Sequence, residues 1–206
     1  MKLALVSLDW DAVDLIESLP QLDFIGIIDP SPDGCCDIPY LGSDDSWEML
    51  KQAQHDLKVI LAVDPPSIKA RLVKHYGQEA LITIQSKDAY VSSRAKIGLG
   101  ALIQRGVKIM PQVTIGPYCK INVQATIHHE SSIGQCCTIA PGAQVLGNVI
   151  IEDFVYVGAG VVIKQKCKIG RGAVIGAGAV VVRDVPPHVT VAGVPAKELK
   201  KTFIKT

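Results

Sequence analysis

A chain of 206 residues, 48% apolar and 20% charged, has a globular composition with room for one large domain or two modest ones. Its 21 basic and 20 acidic residues nearly cancel, which argues against a nucleic-acid partner or an anionic membrane surface. Acids from Asp9 onward are too early for a secretory leader, and no apolar run approaches the roughly 18 residues of a membrane span, so the expected setting is the cytoplasm.

Residues 1–84 alternate between strand-like and helix-like patterns. "KLALVSL" is a short apolar run of the kind a buried parallel strand shows, and "DAVDLIESL" follows with Val13, Ile16 and Leu19 at helical steps. "FIGIIDP" is a second strand stopped by Pro30. "SWEMLKQA" predicts a helix, "KVILAV" a third strand, and "PSIKARLVKHYG" a helix opened by proline and closed by Gly77. This alternation predicts a small parallel sheet of Rossmann-like arrangement. The first turn, Ser7-Leu8-Asp9-Trp10-Asp11, lacks the glycines of a dinucleotide fingerprint, which argues against a nicotinamide or flavin enzyme. Asp29 ends the second strand, where open α/β sheets bind ligands, and is a candidate for a uridine or ribose hydroxyl; a turn-forming "DP" explains it almost as well.

From Val91 the period changes to six. Ile or Val recurs at every sixth position from Val91 through Ile97, Ile103 and onward to Val181, sixteen hexads without a slip. The position four residues after each leader is always small or β-branched, as at Ala101, Val107, Cys119, Ser131 and Cys137. Glycine directly follows several leaders, at Gly98, Gly116, Gly134, Gly158, Gly170 and Gly176, where it would supply backbone freedom near turns. A period of six excludes a helix and a coiled coil and predicts a solenoid of short strands. Cys119, Cys137 and Cys167 then fall on the small interior position and act as compact hydrophobes, Cys136 faces outward, and Cys35-Cys36 lies in a loop. Without a secretion signal or zinc spacing, the six cysteines predict thiols.

The hexads resemble the hexapeptide-repeat left-handed β-helix, in which three hexads form one triangular coil. "VVRDVPPHVTVAGVPAKELKK" resembles the closing segment of acetyl-coenzyme A-dependent hexapeptide transferases. "FIGIIDPSP…IPYLGSDDSWEMLKQAQHDLKVILAV" with "ITIQSKDAYVSSRAKIGLG" is similar to the sialic-acid O-acetyltransferase and bacillosamine-pathway N-acetyltransferase group. The resemblance covers nearly the whole chain. It implies an acceptor-binding Rossmann-like domain at 1–84, α/β in class, and an all-β left-handed β-helix with a C-terminal tail at 85–206. It also implies a homotrimer with acetyl-CoA bound between neighbouring protomers.

Carried over residue by residue, the group's motif reads here as Asn122, His129-Glu130 and Ile133-Gly134. His129 would be the general base, Glu130 the acid that raises its basicity, and Asn122 a lining residue of the acceptor or cofactor site. Ser7 and Asp9 stand in the first turn, where the group usually carries a glycine- and histidine-rich sequence, and are assigned to the acceptor. Asp64 replaces the usual asparagine after the strand "KVILAV". Thr138 stands where a second histidine is sometimes found and is assigned to the cofactor side.

The register supports the motif independently. With Ile127 inward and Ser131 at a corner, His128, His129 and Glu130 occupy places outside the core, and polar residues also belong there as a plain solvated face. A histidine with a carboxylate neighbour suits removal of a proton from an attacking amine or hydroxyl. Gly147 lies eighteen residues on, one coil further along the same face, and is the candidate backbone N–H for the thioester oxygen; the alternative is a plain turn glycine. Gly158, Ala159, Gly176, Ala177, Gly193 and Lys197 are candidates to admit pantetheine and nucleotide. Lys164, Lys166, Lys168 and Arg171 could meet phosphates or simply be solvated. No metal is expected, because adjacent histidines on an extended strand point apart. The expected activity is transfer of acetyl from acetyl-CoA to an amino group of a nucleotide-linked sugar. O-acetylation of a sialic-acid-like sugar and a non-catalytic sugar- or nucleotide-binding trimer remain open.

Overall fold

The structure is a computed structural model describing residues 1–31, 33, 34 and 37–199; the thiols Cys35 and Cys36 lie outside the described residues. The N-terminal unit has a parallel sheet of β1 (Lys2–Val6), β2 (Asp23–Ile28), β3 (Tyr40–Gly42) and β4 (Lys58–Leu61) in the order β3-β2-β1-β4. Helix α1 (Trp10–Glu17) starts where Asp9 accepts the Ala12 N–H, and it buries Ala12, Val13, Leu15 and Ile16. Helices α2 (Trp47–Ala53) and α3 (Pro66–Tyr76) follow the expected positions, with Gly77 closing α3 at φ 79°. Strand β3 was not expected, because three residues between turns carry no periodicity.

The remainder is a three-sided parallel β-helix of short strands. Two-residue strands recur every six residues from Ile84–Gln85 to Val180–Val181 and assemble into three parallel faces. Each residue pairs with the one eighteen places on, as Ile115 does with Ile133 and Ile127 with Val145. The ladder begins one hexad before the first aliphatic leader, because Gln85 occupies the leader place opposite Ile103. Face 1 carries Lys120–Ile121, face 2 Thr126–Ile127 and face 3 Ser132–Ile133, repeated along the axis. Leaders and small corner residues form one continuous core, in which Ile103, Ile121, Ile127 and Ile139 are fully buried. Ser131 is tolerated there because its hydroxyl donates to the Leu146 carbonyl at 2.8 Å and accepts the Val149 N–H. The last coil is shortened: Ile175 pairs with Val191, sixteen residues on, and Lys197–Glu198 caps the face antiparallel.

Glycine after the leader has a different reason from the one its position suggested. Gly98, Gly116 and Gly134 do not have positive φ; a Cβ there would sit within 2.4–2.6 Å of atoms in the next coil. The left-handed backbone falls two residues later, and non-glycine residues occupy that place at Gln112, Tyr118, Gln124, Glu130, Cys136, Asn148, Phe154 and Lys166. Space, not conformational freedom, selects the first glycine. Gly116→Ala should therefore cost about 1–3 kcal/mol, because its neighbours are backbone atoms of Gly134 and Gln135. A lowered urea midpoint with unchanged slope would show this; an unchanged midpoint would mean that adjacent coils part freely.

The α/β unit packs on face 1. Leu102 joins the core under α1, and Tyr118 and Cys136 pack with Leu72, Tyr76 and Leu81. The outward expectation for Cys136 is thus corrected: it points out of the coil but is 3% exposed, because the other unit covers it. Cys119, Cys137 and Cys167 are interior as expected.

Candidate functional site

Successive two-residue strands of the β-helix are joined by four-residue corners that end on the small interior residue. His128, His129 and Glu130 lie in one corner between faces 2 and 3, and Leu146, Gly147 and Asn148 take the same places one coil later. His129 Nδ1 lies 3.0 Å from Glu130 Oε2, and Asn148 donates to the same oxygen at 3.4 Å. A carboxylate accepts only, so Nδ1 carries the proton and Nε2 keeps a free lone pair. The ring lies over Gly147, where a methyl group would come within 2.7 Å of Cε1 and Nε2. The Gly147 N–H meets no acceptor among the described residues, whereas its carbonyl accepts from Lys166. The left-handed backbone of Glu130, at φ 59°, belongs to the repeat and not to the chemistry, since other residues at this corner place share it. The His129 and Glu130 side chains remain 58% and 51% exposed, so a single chain leaves the pair open to solvent.

The glycine-rich candidates lie elsewhere. Gly158 and Ala159, and Gly176 and Ala177, form successive corners between faces 1 and 2. Gly193 joins that edge through its carbonyl, which accepts from Val180, and Lys197 is exposed on the closing strand beside it. This edge and the histidine corner flank face 2 on opposite sides, so one chain does not bring them together. Lys168 and Arg171, considered for phosphates, are paired with Glu152 at 2.7 Å and Asp153 at 3.1 Å, and Arg171 stacks on Phe154.

Several of the expected site residues have partners within the chain. Thr138, assigned to the cofactor side, is fully buried at the seam between the two units; its hydroxyl donates to the Asp64 carbonyl at 2.6 Å and accepts from Lys69. A cofactor lying on the surface does not reach it. Asn122 is 5% exposed, and its amide donates to the Ile139 carbonyl at 3.1 Å. Asp9 caps α1 and pairs with Lys120 at 2.5 Å. Asp29 uses one oxygen for the Leu8 N–H and the other for the Ser31 N–H, which holds the first turn closed. Ser7, left-handed at φ 70°, does line a cavity at the strand ends.

Two buried lysines were not anticipated. Lys120 donates to Asp9 and to the Ala62 carbonyl and forms a second ion pair with Asp64 at 3.0 Å. Lys69 donates to the Cys137 carbonyl and to Thr138, and burial lowers its pKa to about 8. Both lock the α/β unit onto face 1. Among the described residues no group of three or more His, Cys, Asp or Glu side chains could hold a metal, and no helix is long and apolar enough to cross a membrane.

Comparison with known proteins places this geometry. The bacterial transferase hexapeptide (six repeats) family matches residues 130–165. GDP-perosamine N-acetyltransferase of Escherichia coli O157:H7 is 42% identical over 126 residues, which cover 59% of this chain and 57% of that protein's length. A histidine-to-asparagine mutant of perosamine N-acetyltransferase from Caulobacter crescentus, in complex with CoA and GDP-perosamine, matches with a TM-score of 0.89 at 26% identity, covering 98% of each chain. The acetyltransferase domain of PglB from Neisseria gonorrhoeae, in complex with acetyl coenzyme A, matches with a TM-score of 0.86 at 26% identity, covering 96% of this chain and 98% of that one. Repeat, register and full-length structural match give this chain the left-handed β-helix fold that those sugar acetyltransferases share.

Proposed function

We propose that the chain transfers acetyl from acetyl-CoA to the amino group of a nucleotide-linked amino sugar. The observation that carries this reading is the His129 ring, tied to Glu130 through Nδ1 and lying over Gly147 one coil away. His129 Nε2 takes the proton as the neutral amine forms its bond to the thioester carbonyl carbon. The developing oxyanion lies at the Gly147 N–H. Collapse breaks the C–S bond, and the proton leaves with the coenzyme as its thiol, so no acyl-enzyme forms. Two N-acetyltransferases of perosamine, one 42% identical and one matching across the whole fold, support nitrogen over oxygen as the acceptor.

The exposed histidine pair and the glycine edge lie on opposite sides of face 2, and this supports a homotrimer. In such an assembly the edge carrying Ala159, Ala177 and Gly193 of one copy would face the His129 corner of the next, with acetyl-CoA between them.

Incubation with acetyl-CoA and GDP-linked or UDP-linked 4-amino sugars, followed by mass spectrometry, tests the reading. One acetyl added at nitrogen is expected, and no product with any amino sugar would overturn it. Gly147→Ala should lower kcat by about 10- to 100-fold, because the added methyl displaces the His129 ring by a fraction of an ångström to an ångström. Turnover equal to wild type would remove Gly147 from the site.

A further inference from the structure

Small interior residues end the corners of the β-helix at every sixth position from Ala95 to Val185, and Ser131 alone among them carries a hydroxyl. The others are alanine, valine or cysteine, as an apolar core requires. Ser131 is 1% exposed, so its hydroxyl has left water and needs partners inside the chain. Both of its bonds go to one place. It donates to the Leu146 carbonyl at 2.8 Å and accepts the Val149 N–H at 3.1 Å. Those two groups bracket Gly147 and Asn148, in the corner that faces His129. Departures from a local packing rule concentrate at functional sites.

Other corners are closed differently. At Ala95, Ala125, Ala143 and Ala179 the N–H of the interior residue bonds the carbonyl three residues earlier. The corresponding bond here would join the Val149 N–H to the Leu146 carbonyl. The Ser131 hydroxyl bridges those two groups instead, and so sets how far the corner opens. Cysteines at the same place in other hexads show half of this arrangement: Cys119 donates to the Gly134 carbonyl at 2.9 Å and Cys137 to the Glu152 carbonyl at 3.1 Å. The corner that Ser131 holds presents the Gly147 N–H and the Asn148 side chain. Asn148 donates to Glu130 Oε2 at 3.4 Å, the oxygen that lies 3.0 Å from His129 Nδ1, and its own N–H bonds the His129 carbonyl at 3.0 Å. A hydroxyl that touches no reacting atom thus fixes the amide and, by way of Asn148, the carboxylate.

We infer that Ser131 is a positioning residue for acetyl transfer. Its hydroxyl sets the Leu146–Val149 corner so that the Gly147 N–H meets the developing oxyanion while Asn148 holds Glu130 on His129. The inference rests on the proposed acetyl transfer and adds to it a residue outside contact with either substrate.

Steady-state kinetics and calorimetric CoA binding of Ser131→Ala and Ser131→Cys test it. Alanine already holds this place at Ala125, Ala143 and Ala179, so Ser131→Ala should fold and melt within about 8 °C of wild type. Its corner can relax to the ordinary closure, which shifts the Gly147 N–H, and kcat should fall about 10- to 100-fold. KM for both substrates, and affinity for CoA, which has no acyl carbonyl, should stay within about threefold of wild type. Ser131→Cys returns a donor to the Leu146 carbonyl and should recover kcat to within about fivefold of wild type. A lowered melting temperature with kcat unchanged would make Ser131 structural only and overturn the inference, with the proposed function standing. Loss of CoA affinity in proportion to kcat would overturn it too, because the whole site would then have shifted. Equal losses of kcat in the two variants would remove the bond to Leu146 as the cause. Absence of acetyl transfer in wild type would overturn the proposed function and this inference with it.

Discussion

His129→Ala should lower kcat by about 10²- to 10⁴-fold, the usual contribution of a positioned general base, with KM for both substrates changed by no more than about threefold. The two parts of that expectation have separate structural reasons. The ring is 58% exposed and touches Glu130 and Gly147, so its removal opens no core cavity and should leave the melting temperature unchanged. The proposed binding determinants lie elsewhere, along the glycine edge and in the α/β unit, so on that reading substrate affinity should survive. Glu130→Gln gives the complementary result. Glutamine can present either a donor or an acceptor to Nδ1, so the proton is no longer assigned to that nitrogen and kcat should fall, though less than in His129→Ala. A fall in kcat/KM arising from KM alone would make His129 a binding residue. Unchanged turnover would take the base away from this corner altogether.

The same corner shows what a repeat makes legible. Because each coil takes eighteen residues, Gly147 could be placed against His129 by counting, and the structure puts it there. The interior columns follow from the same arithmetic, since a leader's neighbours are its own counterparts in the coils above and below. What counting could not supply was the seam. Lys120 and Thr138 precede leaders on face 1, a place that points outward and reads as solvated surface. They are buried because α3, the segment before it and the β1–α1 turn lie on them, through contacts 58 to 111 positions apart in sequence. Cys136 was misjudged for the same reason. Asp29 differs in a subtler way: it ends a strand as a ligand-binding carboxylate would, and only the hydrogen bonds from Leu8 and Ser31 show that both its oxygens are occupied.

That seam carries the second large expectation. Lys69 is 1% exposed, donates to the Cys137 carbonyl and Thr138, and has no carboxylate partner among the described residues. Burial is the main cause that lowers its pKa from 10.5 to about 8, with the neighbouring Lys120 charge adding to it and Cys119, Cys136 and Cys137 opposing. The unfolded chain holds this proton up to its ordinary 10.5, whereas the folded chain releases it near 8. Between those values the unfolded state binds more protons, so folding gains from this group as pH rises. Below about 8 both states carry the proton, and the cost of burying the ammonium is present in full. Lys69→Met keeps much of the volume and removes the charge; Thr138 still donates to Asp64, and the Cys137 carbonyl still accepts from the Lys120 N–H. The stability difference between variant and wild type should therefore move in favour of wild type by about 2–3 kcal/mol between pH 7 and pH 10. Other groups titrate alike in the two proteins and cancel in the difference. Urea unfolding at both pH values reads it directly, and parallel stability profiles would mean that Lys69 keeps its proton across the range. A tilt of the expected size would show that an ammonium costly to bury at neutral pH sits where the α/β unit meets the β-helix. The lysine is tolerated there because its ammonium donates to the Cys137 carbonyl and to the Thr138 hydroxyl on face 1.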